Sequence, residues 1–306
     1  MSRFTFWRRS PNKGTTGPQS AQDRFQWLGG RRYLADAPYA LPKDPQEVRR
    51  LDFQHFVIRH SLRSNYLADI RQPRSILDVG CGTGRWAMEM AAQFPQANVI
   101  GIDLVLPDIA ASLGHGLEEQ PQNVAFVEGD ILKGLPFAPA SFDFVHMRFL
   151  FTAIPAKDWA FVLDELIRVT QPGGWIESVE TWMTGSNVHP NSHIVTEWIA
   201  ELIRQRGMDP AIARKIPDML RARGLLRVST HEVAHLLLQE GQRWRQIMLT
   251  LGFGALETFR IPIIAQGIAT ADEYDLTAAR ARVEVQQKGA MIWPAYVTYG
   301  QCPQLP

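Results

Sequence analysis

Short apolar runs alternate with segments of helical periodicity between residues 75 and 180. The runs are rich in Val, Ile and aromatic residues and end at turn residues, which predicts strands, while the segments between them carry apolar residues at helical spacing. Such alternation implies a parallel sheet covered by helices on both faces. The predicted strands are SILDV, NVIGID, NVAFVEGD, FDFVHM and GGWIESVE.

The flanking regions follow other patterns. Asp44 can cap a helix that begins at Pro45, with Glu47 completing a capping box, and apolar spacing continues through the following residues. Past residue 180, segments such as TEWIAELIRQRG predict a helical insertion after the fifth strand, and AYVTYGQCP predicts a terminal strand. We therefore expect a flexible tail over 1–28, an N-terminal helical cover over 29–72, and a core domain over 73–306 with the insertion at about 181–225.

Composition restricts the partners. The 306 residues include 32 basic and 31 acidic side chains, a formal net charge of +1, so no overall field attracts nucleic acid or an anionic membrane. The two cysteines, Cys81 and Cys302, argue against a disulfide framework and favour a cytoplasmic setting. No apolar run reaches the length of a signal peptide or a membrane span, so we expect no stable membrane anchor. The oligomeric state stays open.

A glycine loop follows the first core strand. Gly80, Gly82 and Gly84 alternate with other residues directly before a predicted helix. A phosphate loop of the Walker type ends in Gly-Lys-Ser or Gly-Lys-Thr, which is absent here. The dinucleotide fingerprint needs Gly or Ala where this chain has Arg85, which would obstruct close packing of helix and strand. The loop therefore predicts backbone approach to a ligand of another kind.

The stretch from Asp78 through the three glycines resembles motif I of the class I S-adenosylmethionine-dependent methyltransferases. The resemblance implies a doubly wound, seven-stranded, Rossmann-like sheet and S-adenosylmethionine as cofactor. In the family, the acid at the Asp78 position lies near the ligand's ammonium group, and the glycines allow close backbone approach. Asp103, at the end of the second strand, matches the acid that bonds both ribose hydroxyls.

Later segments extend this resemblance over residues 75–180. Asp130 matches the acid beside the adenine, and Ile131 would face the ring. FDFVHMR and RVTQPGGWIESVE are similar to the family's fourth and later motifs. The resemblance implies three further cofactor residues: Leu104 beside Asp103, Gly129 beside Asp130, and Met147 in the fourth motif.

A narrower resemblance uses RRYLADAPYALPKDPQEVRRLDFQHFVIR, LDVGCGTGRWAMEMA, FDFVHMR and AYVTYGQCP. These are similar to methyltransferases related to the fungal regulators of secondary metabolism, which implies a small organic acceptor, with natural products as the setting. Cys81 stands where threonine is common in the fungal group, and residues 181–290 diverge, which leaves the acceptor undefined.

Methyl transfer from a sulfonium is a direct displacement and needs no protein nucleophile, although a general base helps some acceptors. His146, at the end of the fourth strand, is the candidate base, with a structural or ligand-packing role as the alternative. The candidate acceptor pocket comprises Tyr33, Trp182, His189 and His193; core tryptophan and exposed loop histidines are the alternative.

Two rival functions stay open. HEVAH, residues 231–235, matches the zinc-hydrolase pattern, with His231 and His235 as ligands and Glu232 as base if the segment is helical. The preceding Val, Ser and Thr instead predict a strand, and the third histidine of the extended pattern is missing, so we expect no metal. The second rival is a methyltransferase-like regulator that binds the cofactor without turnover.

Overall fold

The computed structural model describes residues 24–35, 39, 41–109, 119–182, 189–233, 242–288 and 294–304. Most of the expected N-terminal tail and His235 of the HEVAH motif lie outside these residues. In chain order the strands are β1 (Phe25–Leu28), β2 (Arg31–Leu34), β3 (Ser75–Val79), β4 (Asn98–Asp103), β5 (Val124–Glu128), β6 (Phe142–Arg148), β7 (Thr170–Thr181), β8 (Leu226–Glu232) and β9 (Ala295–Gln301). The helices are α1 (Pro45–Leu62), α2 (Arg85–Gln93), α3 (Trp159–Val169), α4 (Pro190–Gln205), α5 (Ile216–Ala222), α6 (Gln242–Ala265) and α7 (Ala271–Lys288).

The central sheet has seven strands in the order β5-β4-β3-β6-β7-β9-β8. Strands β3 to β7 run parallel, and β9 lies antiparallel between β7 and β8. Alternate positions of each central strand face opposite helical layers. Ile76 and Phe144 pack on one side with Trp86, while Leu77 and Val145 pack on the other, in a second core. This architecture confirms the predicted doubly wound fold.

The N-terminal segment, defined as residues 24–62, consists of the β1–β2 hairpin and α1. Residues 25–28 form a strand, so the expected tail does not extend to residue 28. Asp44 caps α1 by accepting the backbone N–H of Glu47, as predicted. The carboxylate of Glu47 instead binds Arg50 at 2.6 Å, so the expected capping box is not closed. Arg31 binds Asp44 through two nitrogens, at 2.5 and 2.9 Å, and so fastens the hairpin to the start of α1.

Helices are inserted at two places in the second half of the sheet. Helices α4 and α5 lie between β7 and β8, where the pattern predicts an insertion, and α6 and α7 separate β8 from β9. The sequence pattern predicts only the first of these insertions. Helix α6 packs against α1, and both α6 and α7 pack against α4, so the second insertion connects the first with the N-terminal segment. Across the helices that the structure describes, none combines the length and the hydropathy that a membrane span requires.

Candidate functional site

A cavity of about 290 Å³ opens at the carboxyl ends of the parallel strands. It lies between β3 and β6. Successive strands are added to one side of the sheet up to β5 and to the other side from β6 onward, and open α/β sheets bind ligands at such a switch point. Eight of the ten predicted cofactor residues line it, namely Asp78, Gly80, Gly82, Asp103, Leu104, Gly129, Asp130 and Ile131. Gly84 and Met147 do not: Gly84 is the cap of α2, and the Met147 side chain is buried in the core.

The glycine loop has three residues with positive φ, at +67° for Gly80, +57° for Gly82 and +74° for Gly84. These values favour glycine because a Cβ strains this conformation. A Cβ on Gly80 would overlap the Leu150 side chain, and one on Gly84 would lie 2.7 Å from the ring of Phe126. A Cβ on Gly82 would meet no atom closer than 4.0 Å. Gly80 and Gly84 thus serve packing, whereas Gly82 leaves open space at the cavity wall.

The two carboxylate oxygens of Asp78 have different surroundings. The side chain is buried, and Oδ1 lies 3.0 Å from Nδ1 of His146. Oδ2 is also buried and has no hydrogen-bond partner among the residues that the structure describes. A buried acceptor without a partner is costly, and Asp78 lines the cavity, so this oxygen is suited to an N–H or ammonium group of a ligand.

His146 lies beneath the cavity rather than on its wall. The ring is 1% exposed and stacks on Trp86, with centroids 3.8 Å apart and planes 7° apart. Burial lowers the pKa of His146 by more than the adjacent Asp78 raises it, so the neutral ring donates Nδ1–H to Asp78. This geometry fixes the orientation of the Asp78 carboxylate.

Asp103 has three described donors. Oδ2 accepts the backbone N–H of Gly82 at 2.9 Å, and Oδ1 accepts the N–H of Val105 at 3.2 Å. Lys43, from the N-terminal segment, donates to Oδ1 at 3.0 Å. Burial lowers the pKa of Lys43, but Asp103 and Tyr39 together raise it by more, so Lys43 is cationic. The sequence analysis did not identify Lys43, since no local motif marks it.

The third acid, Asp130, follows β5. Its Oδ1 accepts the N–H of Leu132 and caps a short 3-10 turn, and its Oδ2 lies 3.2 Å from Nζ of Lys133. The N–H of Gly129 binds the carbonyl of Asp103 and so holds the β5 loop beside the end of β4. Asp130 and Ile131 consequently face the cavity on the side away from His146.

Arg148, at the end of β6, also lines the cavity and was missed by the sequence analysis. Its Nη1 lies 3.1 Å from Nδ1 of His55. Burial lowers the pKa of His55 to about 4, so this ring is neutral. The N-terminal segment thus supplies the partner of a cationic side chain at the cavity.

The predicted acceptor-pocket residues do not line the cavity. Tyr33 is buried on β2, Trp182 stacks under the guanidinium of Arg214 at 4.2 Å, His189 precedes α4, and His193 is exposed on α4. The N-terminal segment and the loop after β6 instead contribute to the cavity wall. Their residues there include Leu34, Tyr39, Leu51, Gln54, Phe149, Leu150, Ala153 and Ile154.

Residues 231–233, the part of the HEVAH motif that the structure describes, do not form the helix that its zinc interpretation needs. His231 and Glu232 belong to β8, and Nε2 of His231 lies 3.2 Å from the hydroxyl of Tyr299. In the described part of the chain, no three His, Cys, Asp or Glu side chains are grouped as metal ligands.

Comparisons with known proteins agree with this geometry. Residues 76–174 match the family profile described as a methyltransferase domain. The chain is 38% identical over 143 residues to methyltransferase str3 of Strobilurus tenacellus, covering 46% of this chain and 48% of that protein. It is 31% identical over 153 residues to the secondary metabolism regulator laeA of Coprinopsis cinerea, covering 47% of this chain and 36% of that protein. The chain thus spans about half the length of the curated relatives it matches first.

Among solved structures, phosphoethanolamine N-methyltransferase 2 of Haemonchus contortus matches with a TM-score of 0.51 and 17% identity, covering 86% of this chain and 61% of that chain. At this identity the match shows a shared fold. With the family match, it confirms the resemblance to class I methyltransferases, and the two curated relatives confirm the narrower resemblance to the fungal group.

Proposed function

We propose that this chain, whose residues 76–174 form a methyltransferase domain, binds S-adenosylmethionine and transfers its methyl group to a small organic acceptor. The observation that carries the proposal is the set of three acids, Asp78, Asp103 and Asp130, which follow or end adjacent parallel strands around one cavity. The free Oδ2 of Asp78 suits the ligand's ammonium, and Asp103 has acceptor capacity for ribose hydroxyls.

When bound, the cofactor would supply a methyl group on its sulfonium; an acceptor that attacks this carbon would break the carbon–sulfur bond and release S-adenosylhomocysteine. The contribution of the chain is binding and alignment. Asp78 and Asp103 hold the two polar parts of the ligand, and the N-terminal segment keeps water from the space between them. His146 positions Asp78 and does not contact the acceptor, because its ring is buried behind that carboxylate.

The apolar residues of the cavity lining favour a small acceptor with apolar surface. They include Leu34, Leu51, Leu150 and Ile154. Burial raises the pKa of Tyr39, which also lines the cavity, to about 12, so this phenol is neutral. The similarity to methyltransferase str3 and to the regulator laeA supports an acceptor from secondary metabolism. The second of these relatives also supports the alternative function, a cofactor-binding regulator without turnover.

The first test is calorimetric titration with S-adenosylhomocysteine, the product form, which needs no acceptor. We expect binding with Kd of roughly 1 μM, about −8 kcal/mol, no binding of NADH, and a loss of at least tenfold in Asp103→Ala. Asp164→Ala, which removes an exposed acid on α3, is the matched control and should bind normally. Absence of binding, or binding that ignores Asp103, would refute the cofactor assignment.

The second test separates enzyme from regulator. A host extract is incubated with the protein and with cofactor that carries an isotopically labelled methyl group, and the products are examined by mass spectrometry. A labelled small molecule that is absent with Asp103→Ala supports turnover. Binding without any labelled product supports the regulator.

A further inference from the structure

We propose that Arg148 binds the carboxylate of the cofactor's amino-acid end and forms with Asp78 a pair of opposite charges that recognises this zwitterion. The inference rests on the proposed function, since it concerns the same cavity. It assigns the role of a residue that motif I does not include.

Arg148 lies close to Asp78 in the sheet. In the parallel register of β3 and β6, Asp78 pairs with His146 and Val79 with Met147. The next position of β6, Arg148, therefore lies beside Gly80. Adjacent strands lie about 4.8 Å apart. Asp78 and Arg148 both line the cavity, so an anion and a cation stand on neighbouring strands at its wall. An α-amino acid carries its ammonium and carboxylate on one carbon, which matches such close spacing.

Arg148 has no carboxylate within 4.0 Å in the described ranges. Its side chain is partly buried, and its hydrogen-bond partner there is His55. Arg31, Arg50 and Arg85 are largely buried, and each has a carboxylate at 2.5, 2.6 or 3.0 Å. A partly buried cation without an anion is unfavourable, and an anionic ligand would offset that cost.

A neutral histidine orients Arg148. A guanidinium only donates, so Nδ1 of His55 accepts, and the proton of the neutral ring is on Nε2. Nε2 lies 3.2 Å from Oε2 of Glu89, which also binds Arg59 at 3.2 Å. Helices α1 and α2 thereby orient the guanidinium through a neutral ring without neutralising it. Among the described residues, no hydrogen bond engages the remaining donors of Arg148, so they can meet a carboxylate in a two-point contact.

The nearby acids do not replace that carboxylate. Asp52, Asp78 and Glu89 raise the pKa of Arg148, which burial lowers, but each is bonded to another group. Asp52 accepts the hydroxyl of Thr83 at 2.7 Å, Asp78 is bonded to His146, and Glu89 is bonded to Arg85. An acceptor that bears a carboxylate would present the same chemistry to Arg148. The position beside Asp78 favours the cofactor.

The test compares two ligands that differ only in this carboxylate, S-adenosylhomocysteine and its decarboxylated analogue, 5′-S-(3-aminopropyl)-5′-thioadenosine. Calorimetry should show that the wild-type protein prefers S-adenosylhomocysteine by roughly tenfold or more. Arg148→Met should abolish this preference by weakening S-adenosylhomocysteine alone, and Arg148→Lys should keep part of it. Arg50→Met, which removes a largely buried arginine from outside the cavity lining and outside the His55–Glu89 contact, is the matched control and should keep the whole preference.

If Arg148→Met loses affinity equally for both ligands, Arg148 has a purely structural role and the inference is overturned. Unchanged affinity for both ligands would also overturn it. Wild-type protein that binds the two ligands equally well overturns the inference but leaves the proposed function standing. Wild-type protein that binds neither overturns both. Thermal unfolding of each variant identifies a loss of affinity that arises from a loss of folding.

Discussion

Lys43 Nζ lies 3.0 Å from Oδ1 of Asp103, so the N-terminal segment is tied to the carboxylate that we propose for ribose binding. Oδ1 also accepts the N–H of Val105, whereas Oδ2 accepts only the N–H of Gly82 among the described donors. Each carboxylate oxygen has about two lone-pair sites. Two ribose hydroxyls therefore find one site open on Oδ2 and compete with Lys43 for Oδ1.

We expect Lys43→Met to tighten S-adenosylhomocysteine binding by roughly threefold to tenfold in calorimetry. The variant frees Oδ1, and the ligand then relieves a buried, unpaired charge. For the same reason the ligand-free variant should unfold at a lower temperature than wild type. Lys215→Met, which removes an exposed ion pair with Asp209, should change neither quantity. Weaker binding in Lys43→Met would mean that Lys43 contacts the ligand itself.

Gly80→Ala and Gly82→Ala should separate folding from binding. Both place alanine at positive φ, which costs about 1 kcal/mol, but only the first also displaces Leu150. We expect a larger loss of unfolding free energy for Gly80→Ala by urea denaturation. Gly82→Ala should stay closer to wild type in stability and lose at least tenfold in cofactor affinity, because the methyl group occupies open space at the cavity wall. Normal affinity in Gly82→Ala would contradict close backbone approach by the ligand.

His146→Phe tests the positioning role. Phenylalanine preserves the stack on Trp86 and removes the hydrogen bond to Asp78. We expect roughly tenfold weaker cofactor binding, since a misoriented Asp78 meets the ammonium less well. Once an acceptor is known, kcat at saturating cofactor and its pH profile should change little. A collapse of kcat with unchanged cofactor affinity would instead support His146 as general base.

Glu177→Gln should alter the pH dependence of stability. Burial raises the pKa of Glu177 to about 7. The backbone N–H groups of Leu67 and Ala68 both donate to Oε2, which lowers the pKa by less than burial raises it. The folded state then binds more protons than the unfolded state between about pH 4.5 and 7, so the free energy of unfolding falls as pH rises through this window. The loss is at most about 1.4 kcal/mol per pH unit.

Glutamine can accept both N–H bonds on Oε1 and stays neutral, so this variant should lose that part of the slope. It should also be more stable than wild type above pH 7. Denaturant unfolding at pH 5, 6, 7 and 8 measures both. Burial raises the pKa of Glu180 to about 8, which leaves a residual slope in the variant. Glu197→Gln, a change at an exposed acid on α4, should leave the slope intact; an unchanged slope in Glu177→Gln would show that Glu177 is ionised in the folded protein.

The sequence predicted the sheet and the acids around the cavity because both depend on local patterns. A glycine needed at positive φ, or an acid at the end of a strand, is recognisable without knowing its neighbours. Lys43 and Arg148 were not predictable, because their importance arises when the N-terminal segment packs on the sheet. The predicted acceptor residues, such as Trp182, failed to reach the cavity for the same reason. Helix α6 packs against α1, and no local pattern encodes that packing.

The placement of β9 has a consequence for synthesis. Among the described strands, β8 pairs with β9 alone, and 62 residues lie between the end of β8 at Glu232 and the start of β9 at Ala295. Until residues 295–301 have left the ribosome, the edges of β7 and β8 that pair with β9 have no hydrogen-bonding partner in the sheet. This half of the sheet is therefore completed late, and two strand edges stay open to wrong pairing until β9 emerges.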